Sequence, residues 1–313
     1  MVSLLQREEL DENDIQSLSF NFFGTRLAIC SADGNIQVWE LCNNKWRMIN
    51  RWQSGHSGAI FKVRWAHPEF GSLLATCSFD KTVILFEENP LDNTWKRLSQ
   101  LVEGHEPVED IQFAPPNRRL QLAVCSSHGE IRLYEPASPV NLKLWNSTHI
   151  FVASPLGSNS IVWNPCSLHP IMMLIGNNDM QKAREKFNKN FDGPVETLQL
   201  WGPSEDGKQW EKIFVPDNSH ERSVVDISWA MLMGRSKHIV ATGDIEGGII
   251  IWRIDSKGFM EIEEQIKSPC RRIYNLAWDL MGTTLSTTGD DNILRIWKKN
   301  LQGKWLNLQE IKN

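Results

Sequence analysis

A short hairpin that recurs down the chain limits what this sequence can fold into more than any other feature. Residues Leu74 to Glu87 read LATCSFDKTVILFE: an apolar run closing on Cys77 and Ser78, an Asp in the turn, then an alternating run ending on an aromatic six residues after that Asp. The pattern predicts a β-hairpin. Leu27 to Glu40, LAICSADGNIQVWE, repeats it with Asp33-Gly34 as the turn and Trp39 as the closing aromatic. Taken along the chain, the closing aromatics Trp39, Phe86, Tyr134, Trp201, Trp252 and Trp297 lie 47, 48, 67, 51 and 45 residues apart, which defines six units. Each hairpin follows a short run that itself ends on an aromatic, at Phe20, Trp65, Phe113, Trp163, Trp229 and Trp278. Each is followed by a fourth run, starting at Trp46, Trp95, Trp145, Trp210, Phe259 and Trp305. Four strands per unit result, here lettered a to d, and only the fourth unit is stretched, by an insertion over residues 176–197.

A four-stranded sheet standing alone leaves both faces bare, so units of this kind must stack face against face around an axis. A period of about 40 to 45 residues with four strands per repeat is the signature of a WD-repeat β-propeller. The expected fold is therefore all-β, six-bladed, and a single domain over residues 1–313. Its blades fall at about 15–52, 60–102, 108–152, 158–215, 224–266 and 273–311. The last unit carries its own strand d, from Trp305, so no N-terminal strand is needed to complete the final blade, and the role of the first fourteen residues stays open. The longest aliphatic runs fall far short of the ~20 residues of a membrane span. The opening MVSLLQREEL has no basic leader, so neither insertion into a membrane nor a signal peptide is expected.

The net charge of −5 and pI near 5.9 argue against a direct nucleic-acid surface. The nearest exception is QKAREKFNKN, Gln181 to Asn190, whose Lys182, Arg184, Lys186 and Lys189 read as a solvated, mobile part of the insertion. Of the six cysteines, Cys30, Cys77 and Cys125 hold one register in strand b and read as small buried hydrophobes. With no CxxC pair, the set reads as reduced thiols rather than disulfides or a metal site.

Polar residues at the b–c turn repeat as well. Asp33, Asp80 and Asp291 occupy the turn in units one, two and six, His128 takes it in unit three and Glu246 in unit five. In unit two His56, Ser78 and Asp80 form the expected blade hydrogen-bond set, a turn Asp tied to a d–a loop His and a strand b hydroxyl, because buried polar groups must be paired. His105 and His220 hold the His position in units three and five. His56, Ser78 and Asp80 are also the one place where a Ser-His-Asp nucleophile could be raised, but Ser78 lies in a repeated strand rather than on a strained exposed turn. No catalytic, cofactor or metal site is expected, and the chain reads as a non-enzyme.

Trp65 to Asp80, WAHPEFGSLLATCSFD, and Phe22 to Gly34, FFGTRLAICSADG, resemble the Seh and Sec-thirteen group of WD-repeat scaffold proteins. Leu133 to Asn146, Trp163 to Asp179 and Gly282 to Lys298 are more similar to the Seh-type nucleoporin than to its coat-protein sister. The resemblance spans all six units and departs at His128 and at the unit-four insertion. It implies an open propeller completed by a blade donated from an α-solenoid nucleoporin. It further implies a structural place among the other outer-ring nucleoporins of the Y-shaped complex at the nuclear envelope, supporting pore assembly and transport of protein and mRNA. A place in a GATOR-type amino-acid-sensing assembly on lysosomal or vacuolar membranes is implied too.

Two other functions compete. One is the sister role in the outer coat of COPII vesicles. The other is substrate receptor of a ubiquitin ligase, against which no unit carries Trp-Asp-x-Arg after strand c: the stretches are WELC, FEEN, YEPA, WGPS, WRID and WKKN. The expected partner-blade faces follow from alternation. In unit one Leu27 and Ile29 point to one face and Ala28 and Cys30 to the other, so both faces of this terminal blade are apolar. In unit six Leu294 and Ile296 share a face. Direct closure of the two terminal blades would cover these faces equally well, and it is the resemblance that favours a partner between them.

Overall fold

The structure, a computed structural model, describes residues 14–102, 104, 106–116, 119–138, 141–187, 195–217 and 219–312. Residues 1–13, His105 and Lys189 therefore lie outside the described residues. Six four-stranded antiparallel sheets carry the described chain, each in the order a-b-c-d, as the blades of a six-bladed β-propeller of WD-repeat type. Blade 1 is β1 (Ile15–Phe20), β2 (Arg26–Ser31), β3 (Asn35–Cys42) and β4 (Lys45–Gln53). Blade 2 is β5 (Ile60–Trp65), β6 (Leu73–Ser78), β7 (Thr82–Asn89) and β8 (Thr94–Val102). Blade 3 is β9 (Val108–Phe113), β10 (Leu122–Ser126), β11 (Glu130–Pro136) and β12 (Trp145–Val152). Blade 4 is β13 (Ser158–Trp163), β14 (Met173–Asn177), β15 (Leu198–Pro203) and β16 (Trp210–Phe214). Blade 5 is β17 (Val224–Trp229), β18 (His238–Asp244), β19 (Gly248–Ile254) and β20 (Met260–Lys267). Blade 6 is β21 (Ile273–Trp278), β22 (Thr284–Gly289), β23 (Ile293–Lys299) and β24 (Trp305–Lys312). Strand β24 pairs with β23, so the last blade is completed from its own repeat.

The chain divides into two compact units. Among the described residues one holds 14–127 with 131–150, and the other 128–130 with 151–312. In the first unit the two faces of blade 2 serve two cores. Leu74, Ile84 and Phe86 pack with Ala28, Cys30, Ile36 and Val38 of blade 1. Leu73, Ala75, Cys77, Val83 and Leu85 pack with Val108, Ile111, Leu122 and Val124 of blade 3. Alternate residues of one strand thus enter different cores, so β7 is an unbroken buried apolar run and not the alternating run expected of this hairpin. The second unit repeats the scheme. Blade 4 meets blade 5 through Leu174, Leu200, Val224, Val240 and Trp252, and blade 5 meets blade 6 through Ala241, Ile251, Leu276, Leu285 and Trp297. Cys30, Cys77 and Cys125 are fully buried as their shared register requires, and burial pushes the Cys30 thiol up to about 12.

The b–c turns place the residue after the turn position in the left-handed region, at Gly34, Lys81, Gly129, Gly247 and Asn292. At Gly247 the turn also approaches the neighbouring chain so closely that a Cβ would lie 2.2 Å from the Cys270 carbonyl oxygen, so the site admits only glycine. A further regularity sits between strands c and d. The pairing slips by one residue just before Trp39, Phe86, Trp201, Trp252 and Trp297, so each of these closing aromatics stands beside a β-bulge.

The insertion of blade 4 departs from the solvated-loop expectation. Met180–Phe187 forms an α-helix, α1, with Lys182, Arg184 and Lys186 on it. Asp179 caps it by accepting the Lys182 backbone N–H at 2.7 Å, and also accepts from the Ser223 backbone N–H at 3.2 Å, while its own N–H donates to Ser223 Oγ at 2.9 Å. Ala183 is fully buried, and Lys182 Nζ donates to Asn159 Oδ1 at 2.9 Å. The helix is thereby seated on blades 4 and 5 instead of hanging in solvent.

Candidate functional site

Blade 2 holds the expected hydrogen-bond set with one substitution. His56, between β4 and β5, faces Asp80 through Nδ1 at 3.0 Å and Thr76 through Nε2 at 2.9 Å. Thr76, not Ser78, is therefore the strand b hydroxyl of the set. Ser78 stands two residues too far along β6, and its Oγ instead accepts the Asp80 backbone N–H at 3.1 Å. The carboxylate of Asp80 also accepts the Ser57 and Thr82 N–H groups at 2.8 and 3.0 Å. Burial opposes ionisation of both partners. It moves His56 below its ordinary value despite the pull of Asp80, whereas Asp80 ends below its own because its hydrogen bonds outweigh burial. The neutral imidazole then donates from Nδ1 to the carboxylate and accepts the Thr76 hydroxyl proton at Nε2. Ser78 is fully buried and does not face the imidazole, so no attacking hydroxyl is presented here.

Blade 5 completes the same set with an indole. Trp252 Nε1 donates to Thr242 Oγ1 at 2.8 Å, Thr242 Oγ1 lies 2.7 Å from His220 Nε2, and His220 Nδ1 lies 2.8 Å from Asp244 Oδ2. The carboxylate of the set is Asp244, not the turn residue Glu246, which pairs with Arg222 at 2.7 Å instead. The other blades keep fragments. Asp33 accepts from Ser31 Oγ and from the Asn35 side chain in blade 1. Asp291 pairs with the buried Arg295 in blade 6, where Trp297 Nε1 donates to Thr287 Oγ1 at 3.0 Å. In blades 1 and 4 the closing Trp39 and Trp201 donate instead to Gln37 and Gln199, each at 2.8 Å. These sets tie strands within a blade.

The surface features lie on the sheet faces. With Ala28 and Cys30 committed to the core shared with blade 2, Leu27 and Ile29 point to the opposite face of blade 1. Their register partners there are Phe20 and Leu18, and Trp39 joins them with Met48 as its own partner across β3 and β4. Ile29 is buried, but Leu18, Phe20 and Met48 are 50%, 57% and 48% exposed. Phe20 leans on Trp46 with ring centroids 5.8 Å apart. In blade 6 the core shared with blade 5 takes Leu285 and Trp297. Leu294 and Ile296 accordingly face the other way, beside Ala277, Ser286 and Thr288. Ile296 is buried and Leu294 half-buried. The blade 1 face is therefore the more apolar of the two, and its exposed part lies on β1 and β4, which alternation within the hairpin alone does not reveal.

Comparison with known proteins places the chain. The WD domain, G-beta repeat family matches residues 6–40, 48–87 and 264–298. Nucleoporin SEH1-B of Xenopus laevis is 32% identical over 316 residues, covering 93% of this chain and 83% of that protein. Nucleoporin SEH1 of Homo sapiens is 31% identical over 316 residues with the same coverage. The chain belongs to the SEH1 nucleoporin family. A protein of known structure from Lactobacillus plantarum shares the fold alone, with a TM-score of 0.70 at 11% identity over 96% of this chain and 85% of that one. Within this SEH1-family chain the three stretches matched by the repeat family are those whose turns hold Asp33, Asp80 and Asp291. The unmatched blades are those that replace the turn Asp by His128, interrupt the turn with α1, or shift the carboxylate to Asp244.

Proposed function

We propose that this SEH1-family chain is a non-enzymatic scaffold subunit of the nuclear pore outer ring, and that blade 1 receives strands donated by an α-solenoid nucleoporin. Family membership supports the scaffold role and the pore location. The apolar face of Leu18, Phe20, Leu27, Ile29, Trp39 and Met48 carries the partner reading. Covering the exposed halves of Leu18, Phe20 and Met48 yields on the order of 1 kcal/mol each, a driving force that a single bare leucine would not supply. In this reading Leu294 and Ile296 of blade 6 are a second candidate face for donated strands. The assembly supports transport of protein and mRNA, and the same chain serves a GATOR-type complex at the lysosomal or vacuolar surface. The nucleoporin names of its relatives favour the pore over a COPII coat. Tagged chain recovered from its own cells should bring down a large helical nucleoporin in equimolar amount. Recovery of a vesicle-coat subunit in that position would overturn the pore assignment.

A further inference from the structure

We infer that the contact between His169 and His238 is a proton-sensitive clasp that holds together the loops joining strands a and b of blades 4, 5 and 6. His169 lies in the β13–β14 loop and His238 opens β18. Nδ1 of His169 is 2.8 Å from Nε2 of His238, with the rings perpendicular. Space for one proton exists between the two nitrogens, so the contact is a hydrogen bond only while at least one ring is neutral. His238 has no exposed surface, lies edge-on to Trp229, and keeps its Nδ1 buried with no hydrogen-bond partner.

The clasp continues into blade 6. Three residues before His238, Arg235 donates from Nη1 to the carbonyls of Met281 and Gly282 at 3.0 and 2.9 Å, and from Nη2 to the carbonyl of Met231. Met231 belongs to the a–b loop of blade 5, and Met281 with Gly282 to that of blade 6. The three loops are thus joined in series, and they carry the exposed apolar residues Met231, Met233, Leu280 and Met281.

The charges bearing on His238 oppose a second proton. His169 faces it from blade 4 and Arg235 from its own loop, both cationic when charged. Asp279 of blade 6 acts on Arg235, and Lys237 is held by Glu261 at 2.6 Å. Burial, then His169, then Arg235 lower His238 from 6.5 to about 4. Because the folded value lies below the unfolded one, the stability the pair contributes is complete above about pH 6.5 and is lost as the pH falls towards 4. Linkage over that window raises the opening equilibrium of the clasp roughly twenty-fold between pH 7 and pH 5.

Two measurements on the full chain test this. Histidine ring signals followed by NMR should show the His238 imidazole titrating near pH 4. A midpoint within half a unit of 6.5 for His238 overturns the proposal and needs no variant. Cleavage by a nonspecific protease active at both pH 7 and pH 5 should speed up at least tenfold at the lower pH in segments 165–172, 230–237 and 279–283. In a His238→Gln chain that acceleration should fall below threefold, whereas His149→Gln should leave it unchanged. Acceleration confined to other segments, or equal acceleration in His238→Gln, also overturns the proposal.

Discussion

Thr242 is the hinge of the most complete hydrogen-bond set among the described residues, because its hydroxyl takes the Trp252 indole proton and faces the His220 imidazole. Thr242→Val keeps the shape but leaves two buried polar groups without a partner, which costs about 2–5 kcal/mol. Thr76→Val should cost less, about 1–3 kcal/mol, because Phe86 has no indole N–H and only His56 loses a partner. Urea titration of both variants checks the ranking, and an equal or smaller loss for Thr242→Val would contradict it. The histidine and the turn carboxylate of blade 2 were readable from sequence, since the turn Asp and the loop His recur. The hydroxyl was not, because Ser78 sits nearer the turn and attracts the assignment. A usable signal existed: Thr76, Thr242 and Thr287 each stand ten residues before a closing aromatic. In blade 5 the carboxylate that meets His220 is Asp244, two residues before the turn residue Glu246, so the turn position alone did not locate it.

At the scale of elements, period and alternation revealed the strands because every blade core draws on alternate residues, and six hairpins with their flanking runs became six sheets. The register slip before Trp39, Phe86, Trp201, Trp252 and Trp297 was not legible, since a bulge changes pairing without changing the apolar pattern. Helix α1 was hidden by its charges, which read as loop. Asp179 ahead of a run of good helix formers, MQKAREKF, was the available start signal. The cap is buried and shared with blade 5, where Arg222 approaches Asp179 at 3.3 Å. Asp179→Ala should therefore remove the cap and unpair Ser223, for a loss of about 1–3 kcal/mol. Limited proteolysis should cut within 176–197 several times faster in that variant. Unchanged cleavage there would mean that Asp179 does not seat the helix.

For the molecule as a whole, blade number was legible because the hairpin recurs six times, while the family came from the resemblance of particular stretches such as Trp65 to Asp80. The face proposed for the partner was only partly visible in the sequence: Leu27 and Ile29 follow from alternation in strand b, while Leu18 and Phe20 lie in a strand whose sequence served merely to mark the repeat. Yet these last two, with Met48, are the exposed members of that face. Replacing Leu18 and Phe20 together by Asp puts charge on the face proposed to take the donated blade, on side chains already half in water, so folding should be kept within about 1 kcal/mol. The decisive measurement is quantitative affinity purification of the tagged chain and of this double variant from the same cells, with circular dichroism confirming equal strand content. The account predicts an equimolar helical nucleoporin with the parent chain and at least a tenfold loss of it with the variant. Equal recovery of that partner by both chains would contradict the claim that blade 1 receives it.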